Sequence, residues 1–269
     1  MSEKSENLND YLAVCREASL AAGRIQREKL GTVTVKIKSN PNDLVTEADT
    51  ASQKIIEEII YGAFPGHRFV GEEGHLTESR SDSDSEYCWI ADPLDGTTNF
   101  VHHCPMFGPS LALVKGNDVL CGVFYNPMTE ELFTASKGQG AFLNGKRIQT
   151  SGCRTLSQSL LAVGFASQVS ADSVGMKAFM KTLPLAQSVR RTGSTAMNLA
   201  FIASGYFDAA WAYSCHCWDI AAGVILVQES GGVITKPNGS PINFTDAPTP
   251  FCAAATADLH AELLAAVAG

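Results

Sequence analysis

The chain has 269 residues, of which 45 % are hydrophobic and 18 % are charged, a composition typical of globular proteins and unlike that of disordered or fibrous ones. Acidic residues outnumber basic ones by 28 to 20 and no basic cluster exceeds a pair such as Lys146-Arg147, so no nucleic-acid-binding surface is predicted. The polar residues 1–10 are unlike a secretory signal and the apolar run 220–227 is too short to cross a bilayer, so we expect a cytoplasmic protein without a membrane span.

The first predicted elements are a helix, a strand and a second helix. Apolar residues recur at three- and four-residue steps over residues 8–25, which predicts a long amphipathic helix. Apolar and polar residues alternate over 33–37, which predicts a half-buried strand. Thr46 then stands at an N-cap position with Asp49 three residues later, so a second helix is predicted to about residue 60.

The rest of the chain alternates between strands and helices. Residues 68–71 and 87–91 read as short buried strands followed by acidic residues, and 77–86 reads as a solvated loop. The segments 111–114, 119–125 and 131–134 predict an antiparallel meander. After it we expect a strand near 160–163 and helices near 172–182, 195–203, 220–229 and 258–267.

The eight cysteines do not form a recognisable framework. In a chain of this size without a secretory signal they are better interpreted as reduced thiols than as disulfides. Two clusters combine histidine and cysteine, at 102–104 and 215–217, but neither has the C-x-x-C spacing of a structural zinc module. We therefore do not predict a zinc site.

Two carboxylates stand three residues apart at the end of an apolar strand, Asp92 and Asp95. A tight turn would let both converge with the carbonyl of Leu94 on one ion, and hard oxygen ligands suit Mg²⁺. The backbone amides of Gly96 and Thr97 would follow at the turn, where a phosphate oxygen could approach. This segment is therefore a candidate site for a metal ion and a phosphate.

Two other interpretations of this segment were weighed. Pro93 and Gly96 also mark an ordinary Pro-x-Asp-Gly turn, in which the aspartates would simply be solvated. An EF-hand loop is excluded, because the twelfth position counted from Asp92 is His103, where that loop requires a bidentate glutamate. Taken alone, the pair of aspartates favours the ordinary turn.

Further carboxylates lie elsewhere in the chain, and each has a structural explanation of its own. Glu72 and Glu73 follow a predicted strand and are compatible with a surface charge pair. Asp49 can cap the second helix, and Asp219 can complement the dipole of the helix that it opens. Their position along the chain does not by itself distinguish these roles from metal binding.

Considered together, these residues match one family. The chain resembles the inositol monophosphatase family, the lithium-sensitive, magnesium-dependent phosphatases, through Asp-Pro-Leu-Asp-Gly-Thr-Thr-Asn-Phe at 92–100 and Trp218-Asp219 to Gly231-Gly232. Residues 43–49, 71–73 and 193–196 also match. The resemblance implies an α+β fold, the layered αβαβα sandwich of the inositol monophosphatase and fructose bisphosphatase type, and a homodimer. We expect a single phosphatase domain over 1–269, with two intimate halves that meet near residue 150.

The resemblance also implies a role for each matching residue. Mg²⁺ ions would be bound by Glu72, Asp92, the Leu94 carbonyl, Asp95 and Asp219. Asp49 and Thr97 would help Glu72 to position and deprotonate the attacking water. The substrate would be bound by Asp95, Gly96, Thr97, Gly193, Ser194, Thr195 and Asp219. No Cys or Ser nucleophile is needed, because phosphoryl transfer depends mainly on positioning and charge neutralisation.

The implied activity is magnesium-dependent hydrolysis of a small phosphate monoester, such as inositol 1-phosphate or another polyol or sugar phosphate. Inositol-preferring members carry a glutamate seven residues before the second motif's aspartate, and Ala212 stands there in this chain. Histidinol phosphate, 3′-phosphonucleotides and fructose bisphosphate are therefore alternative substrates, and Arg190 or Arg191 is a candidate for binding a second anion.

An alternative of another class is a non-catalytic interaction protein that retains the fold and binds a macromolecule. Such a protein could lose Asp49, Glu72 or Asp219 without consequence, and all three are present. The sequence therefore favours the enzyme.

Overall fold

The computed structural model describes residues 7–73, 85–245 and 247–268. The elements in chain order are α1 (Leu8–Lys29), β1 (Val35–Ile37), β2 (Leu44–Thr46), α2 (Glu47–Ala63), β3 (Arg68–Gly71), β4 (Tyr87–Asp95), α3 (Thr97–Val101), β5 (Gly108–Lys115), β6 (Asp118–Asn126), β7 (Glu131–Ser136), β8 (Gly140–Leu143), β9 (Lys146–Ile148), β10 (Leu160–Gly164), α4 (Val174–Thr182), β11 (Ser188–Arg190), α5 (Thr195–Ala203), β12 (Ala209–Ala212), α6 (Cys217–Glu229), β13 (Val233–Thr235), β14 (Phe251–Ala254) and α7 (Ala257–Val267).

The larger sheet has seven strands in the order β3-β4-β5-β6-β7-β8-β9. Strand β3 runs parallel to β4, and the remaining neighbours pair antiparallel, so the predicted meander is confirmed as β5, β6 and β7. Its centre is apolar, with Trp89, Leu111 and Phe124 wholly buried. The predicted loop at 77–86 lies almost entirely outside the described residues.

The smaller sheet has five strands in the order β11-β10-β12-β14-β13. Strand β10 lies parallel to both β11 and β12, whereas β14 is antiparallel to both of its neighbours. The chain passes from one sheet to the other between Ile148 and Leu160. The division into two halves near residue 150 stays a prediction, because sheet membership alone does not define how the halves fold.

The helices and sheets alternate in five layers. Helices α1 and α2 cover the outer face of the larger sheet, around Tyr11, Ile56 and Trp89. Helices α5 and α6 fill the space between the two sheets, and α4 and α7 cover the far face of the smaller sheet, around Trp211 and Leu263. The predicted αβαβα arrangement is therefore confirmed.

The two central helices approach each other closely because of one glycine. A Cβ atom on Gly223 of α6 would lie 2.2 Å from Cδ1 of Leu199 in α5 and 2.5 Å from its Cβ. Leu199 is fully buried, so it cannot move aside into solvent. Both helices begin at the same edge of the core, with Thr195 and Cys217 as their first residues, and this edge carries the site described below.

Several sequence predictions are confirmed, and others need correction. The predicted helices are present, and Thr46 caps α2 with Asp49 as its capping-box partner. The strand at β1 is not half-buried: among the described residues it pairs with β2 alone, all three of its residues are exposed, and Ile37 is 62 % exposed. Strand β3 is an edge strand that buries only Gly71, and β4 continues to Asp95 instead of ending at 91.

Two further observations concern the whole chain. All eight cysteines are free thiols, as predicted. None of the helices in the described part of the chain has the length and apolarity that crossing a bilayer requires.

Candidate active site

The site begins at Asp92, where strand β4 departs from regular pairing. The register between β4 and β5 shifts between Asp92 and Asp95, so an irregularity occupies the place where we predicted a turn. Asp92 is 2 % exposed, and its Oδ1 accepts a hydrogen bond of 2.9 Å from the amide of Leu94. Burial raises the pKa of Asp92 well above its ordinary value, and the negative charges of Glu72, Asp95 and Asp219 raise it further.

Asp95 joins this strand to the start of helix α5. Its Oδ2 accepts hydrogen bonds of 2.6 Å from the Ser194 hydroxyl and 2.6 Å from the amide of Ala196, and its Oδ1 lies 3.3 Å from the amide of Thr195. Burial raises the pKa of Asp95 to about 6, although these hydrogen bonds to its ionised form lower it. The carboxylate is thus held by donors from the second half of the chain.

Asp219 enters the site from the first turn of α6. Its Oδ2 accepts a hydrogen bond of 2.7 Å from the amide of His216, which closes a capping box at the start of the helix. Burial raises the pKa of Asp219 well above its ordinary value, and the charges of Asp95 and Glu72 raise it further. The capping role that we weighed for Asp219 is therefore present, and it coexists with electrostatic coupling to the other carboxylates.

Glu72 follows the last residue of β3 and is bound to a lysine. Lys38 Nζ lies 2.8 Å from Glu72 Oε1 and also donates to Glu73 Oε1. Burial lowers the pKa of Lys38, but the two carboxylates outweigh this effect and raise it. Burial has the opposite effect on the carboxylate of Glu73 and raises its pKa. Lys38 is therefore a counter-ion for the acidic residues that follow β3.

Asp49 and Thr97 are in direct contact although 48 positions separate them. The Thr97 hydroxyl donates to Asp49 Oδ1 at 2.9 Å and lies 3.3 Å from the Leu94 carbonyl. Asp49 Oδ2 accepts from both the amide and the hydroxyl of Thr46, at 2.8 and 2.6 Å. Asp49 is fully buried, and burial raises its pKa. One carboxylate thus caps α2 and holds the Thr97 hydroxyl.

The turn between β4 and α3 requires glycine. Gly96 has φ of +95°, a left-handed conformation that favours glycine. A Cβ atom there would also lie 2.8 Å from the carbonyl oxygen of Met106. This glycine lets the chain turn directly after Asp95 and begin α3 at Thr97.

A cavity of about 810 Å³ lies between the two halves, beside the carboxylates. Gly193, Ser194 and Thr195 lie in its wall, together with residues of the β1–β2 connection and of the segment after β10. Its lining residues are Pro41, Asn42, Leu44, Thr98, Asn99, His102, Val163, Gly164, Phe165, Ala166, Ser167, Val169, Arg191, Thr192, Gly193, Ser194, Thr195 and Asn198. Because the Ser194 hydroxyl binds Asp95, this wall is directly connected to the carboxylates.

The carboxylate oxygens are suitable ligands for a metal ion, but in this structure they accept hydrogen bonds from groups of the protein. Oxygen-only ligands are those that Mg²⁺ and Ca²⁺ prefer, and neighbouring buried carboxylates with raised pKa values call for a cation. Yet no group of three or more His, Cys, Asp and Glu side chains in the described ranges is arranged to hold a metal directly. Glu72 points to Lys38, Asp95 to Ser194 and Asp219 to the His216 amide.

Two residues that shape the site, Lys38 and Asn99, are not singled out by the sequence patterns. Lys38 directly follows the predicted strand at 33–37, and no sequence signal pairs it with Glu72. Asn99 ties the two halves together, because its Nδ2 donates to the carbonyls of Met106 and Thr192 at 2.7 and 2.9 Å. A position inside the 92–100 motif was the one signal that could have identified it.

Comparison with known proteins identifies the family to which the chain belongs. The model of the inositol monophosphatase family matches residues 7–268. The chain is 36 % identical over 244 residues to a protein of Aquifex aeolicus named fructose-1,6-bisphosphatase/inositol-1-monophosphatase, covering 90 % of each. It is 38 % identical over 265 residues to an inositol-1-monophosphatase of Synechocystis sp., covering 97 % of this chain and 90 % of that one.

A solved structure matches along almost the whole chain. The extragenic suppressor protein suhB of Bartonella henselae superposes with a TM-score of 0.87 at 32 % identity, covering 96 % of this chain and 98 % of that one. Members of this family are generally metal-dependent and act on small phosphorylated substrates. Sequence motifs, layered fold and relatives all lead to one assignment: the chain is a phosphoric monoester hydrolase that belongs to the inositol monophosphatase family.

Proposed function

We propose that this chain catalyses the Mg²⁺-dependent hydrolysis of a small polyol or sugar phosphate. One observation carries the proposal: Glu72, Asp92, Asp95 and Asp219 come from three separate parts of the chain, and burial together with neighbouring negative charges raises the pKa values of Asp92, Asp95 and Asp219 beside a cavity of about 810 Å³. Separate carboxylates that interact this strongly need a cation to be stable together in the ionised form.

Mg²⁺ would be held by these four carboxylates and by the Leu94 carbonyl. When bound, the metal supplies charge for the phosphate and for the leaving oxygen, and it lowers the pKa of water. Glu72 Oε1 accepts a hydrogen bond from Lys38, so a metal that binds this oxygen would displace the lysine. Lys38 therefore competes with the metal for Glu72.

The other polar groups have positioning roles in this proposal. Asp49 accepts a hydrogen bond from the Thr97 hydroxyl, so the lone pairs of the Thr97 oxygen are free to accept a hydrogen bond from the attacking water. Glu72 would take the proton that this water loses. The amides of Gly96 and Thr97, at the left-handed turn after Asp95, would receive the phosphate, and Gly193, Ser194 and Thr195 border the leaving group in the cavity.

The candidate substrates differ mainly in the leaving group, so the residues around the leaving group determine which of them is hydrolysed. Ala212 is buried behind Gly164, its strand partner, which lines the cavity, and its methyl group offers no acceptor for a polyol hydroxyl. The Aquifex aeolicus relative carries both a bisphosphatase and a monophosphatase in its name. Fructose bisphosphate, histidinol phosphate and 3′-phosphonucleotides therefore belong in the substrate panel alongside inositol 1-phosphate.

The test is phosphate release from this panel with Mg²⁺ and with a chelator. We expect turnover of at least one phosphate monoester with Mg²⁺, none with the chelator, and none from an Asp92→Asn variant that melts cooperatively. Hydrolysis that continues unchanged in the Asp92→Asn variant would refute the metal assignment. A protein that is inactive on the whole panel yet binds a macromolecule would favour the interaction protein.

Three properties expected from the family complete the proposal: a homodimer, inhibition by lithium and a cytoplasmic location. Size-exclusion chromatography with light scattering tests the first, and a Li⁺ titration of the Mg²⁺-dependent rate tests the second. Fractionation of the source cells tests the third.

A further inference from the structure

The cavity differs in charge from the rest of the protein. The chain has 28 acidic and 20 basic residues, and four carboxylates lie at the neighbouring site. The cavity wall, by contrast, contains Arg191 and His102 but no aspartate or glutamate among the described residues. A cavity built for a neutral polyol gains nothing from this arrangement, whereas an anionic group is attracted by it.

Arg191 is held in the cavity wall by an aromatic contact. Its guanidinium carbon lies 5.4 Å from the ring centroid of Phe165, which itself lines the cavity. Phe165 packs edge-on against the buried Trp211, with ring centroids 6.0 Å apart. No Asp or Glu in the described part of the chain makes a salt bridge with Arg191. The guanidinium therefore keeps its hydrogen-bond donors for a ligand.

The backbone fixes the distance between this arginine and the carboxylates. Arg191 is four residues before Thr195, and the amide of Thr195 donates to Asp95. The Cα atoms of Arg191 and Thr195 therefore lie at most about 14 Å apart. The intervening Thr192 carbonyl accepts from Asn99 Nδ2 at 2.9 Å, which ties this segment to the larger sheet. This upper limit is within the combined reach of the long arginine side chain and a leaving group of sugar size whose phosphate lies at the carboxylates.

We propose that Arg191 binds a second anionic group, a phosphate or a carboxylate, on the leaving group of the substrate, and that the preferred substrates are phosphate monoesters carrying such a group. The inference rests on the phosphatase activity proposed above. The planar guanidinium forms two parallel hydrogen bonds to either kind of oxyanion. Arg191 is thus a specificity-determining residue that contacts the substrate away from the reacting phosphate.

The test uses two pairs of substrates that differ only in the second anionic group: fructose 1,6-bisphosphate against fructose 1-phosphate, and 2-phosphoglycerate against glycerol 2-phosphate. For wild-type protein with Mg²⁺ we expect kcat/KM to be roughly tenfold or more higher, in one or both pairs, for the substrate that carries the second anionic group, as for a charge-assisted hydrogen bond. The Arg191→Gln variant loses this preference, mainly through KM, and hydrolyses the partner without the second group as wild type does. Whichever pair responds identifies phosphate or carboxylate.

The neighbouring arginine provides the matched control. Arg190 is exposed, as Arg191 is, but it donates to Ser188 Oγ at 2.6 Å and is absent from the cavity wall, so Arg190→Gln keeps the wild-type ratio between the paired substrates. An unchanged ratio in Arg191→Gln, while both substrates are still hydrolysed, would overturn the role of Arg191. If the wild-type protein hydrolyses none of the monoesters, the proposed function itself is refuted.

Discussion

Ser194 Oγ lies 2.6 Å from Asp95 Oδ2, although 99 positions of the sequence separate them. The same hydroxyl accepts a hydrogen bond of 3.2 Å from the amide of Met197 and so caps helix α5. One side chain therefore joins the end of β4 in the larger sheet to the helix between the sheets. It also links a proposed metal ligand to the wall of the cavity.

The Ser194→Ala variant should lose about 2–4 kcal/mol of unfolding free energy, because it removes an N-cap and a charge-assisted buried hydrogen bond together. Urea unfolding measures the loss. The matched control is Ser173→Ala, which removes the cap of α4, a bond of 3.2 Å to the amide of Met176, and should cost about 1 kcal/mol. Equal losses in the two variants would show that the bond to Asp95 contributes nothing.

Replacing Thr97 with valine keeps the shape of the side chain but removes the hydroxyl that Asp49 binds. We expect kcat to fall about 100-fold with little change in KM, since the hydroxyl positions the water and not the substrate. Thr97→Ser keeps the hydroxyl and should retain most of the rate. Steady-state kinetics with saturating Mg²⁺ compare the three proteins, and a valine variant within threefold of wild type would contradict the role.

Replacing either of two helical glycines with alanine should change the free energy of unfolding, but in opposite directions. Gly223→Ala places a methyl group 2.2 Å from Leu199 Cδ1, so we expect a loss of about 1–3 kcal/mol by overpacking. Gly62 in α2 has no atom within 4 Å of the added Cβ, so Gly62→Ala should stabilise by about 0.4–1 kcal/mol. Thermal unfolding tests both, and a stabilised Gly223→Ala would contradict the packing of α5 against α6.

The metal-free protein should become less stable as the pH rises toward neutrality. Burial raises the pKa of Asp95 from 3.8 to about 6, so the folded state binds more protons than the unfolded state between these values. The stabilisation is complete below about pH 4 and is lost as the pH rises through about 6.

Urea unfolding in a chelator at about pH 5 and about pH 7.5 measures this loss, with Asp95→Asn, which does not titrate, as the control. Saturating Mg²⁺ should restore stability at the higher pH, because it binds the folded state. A metal-free wild type that is more stable at the higher pH, relative to Asp95→Asn, would contradict the assignment.

The sequence predicts best those parts of the fold where one local pattern decides the structure. The apolar stripe of α1, the Thr46 cap of α2 and the alternating strands of the meander are all of this kind. Of the strands in the smaller sheet, only β10 was predicted. Strand β12, for example, is an alanine-rich segment of four residues, 209–212, without an alternating pattern. The exposure of β1 was missed because it depends on whether a layer covers that strand.

For the site, the sequence supplied the residues but not their partners. The carboxylates were recognised through a family resemblance, and their residue types alone favoured ordinary turns and caps. The contact of Asp95 with Ser194 and that of Glu72 with Lys38 depend on the packing of separate elements, which no local spacing encodes. The charge of the cavity wall is likewise a property of the assembled fold.

Binding of Mg²⁺ by the carboxylates around Asp92 is measured directly by calorimetric titration of Mg²⁺ into the protein. We predict binding by the wild type, at least about tenfold weaker binding by Asp92→Asn, and unchanged binding by Asp118→Asn, whose exposed carboxylate pairs only with Lys137 at 3.1 Å among the salt bridges of the described residues. Binding of Mg²⁺ by Asp92→Asn with wild-type affinity would contradict the account.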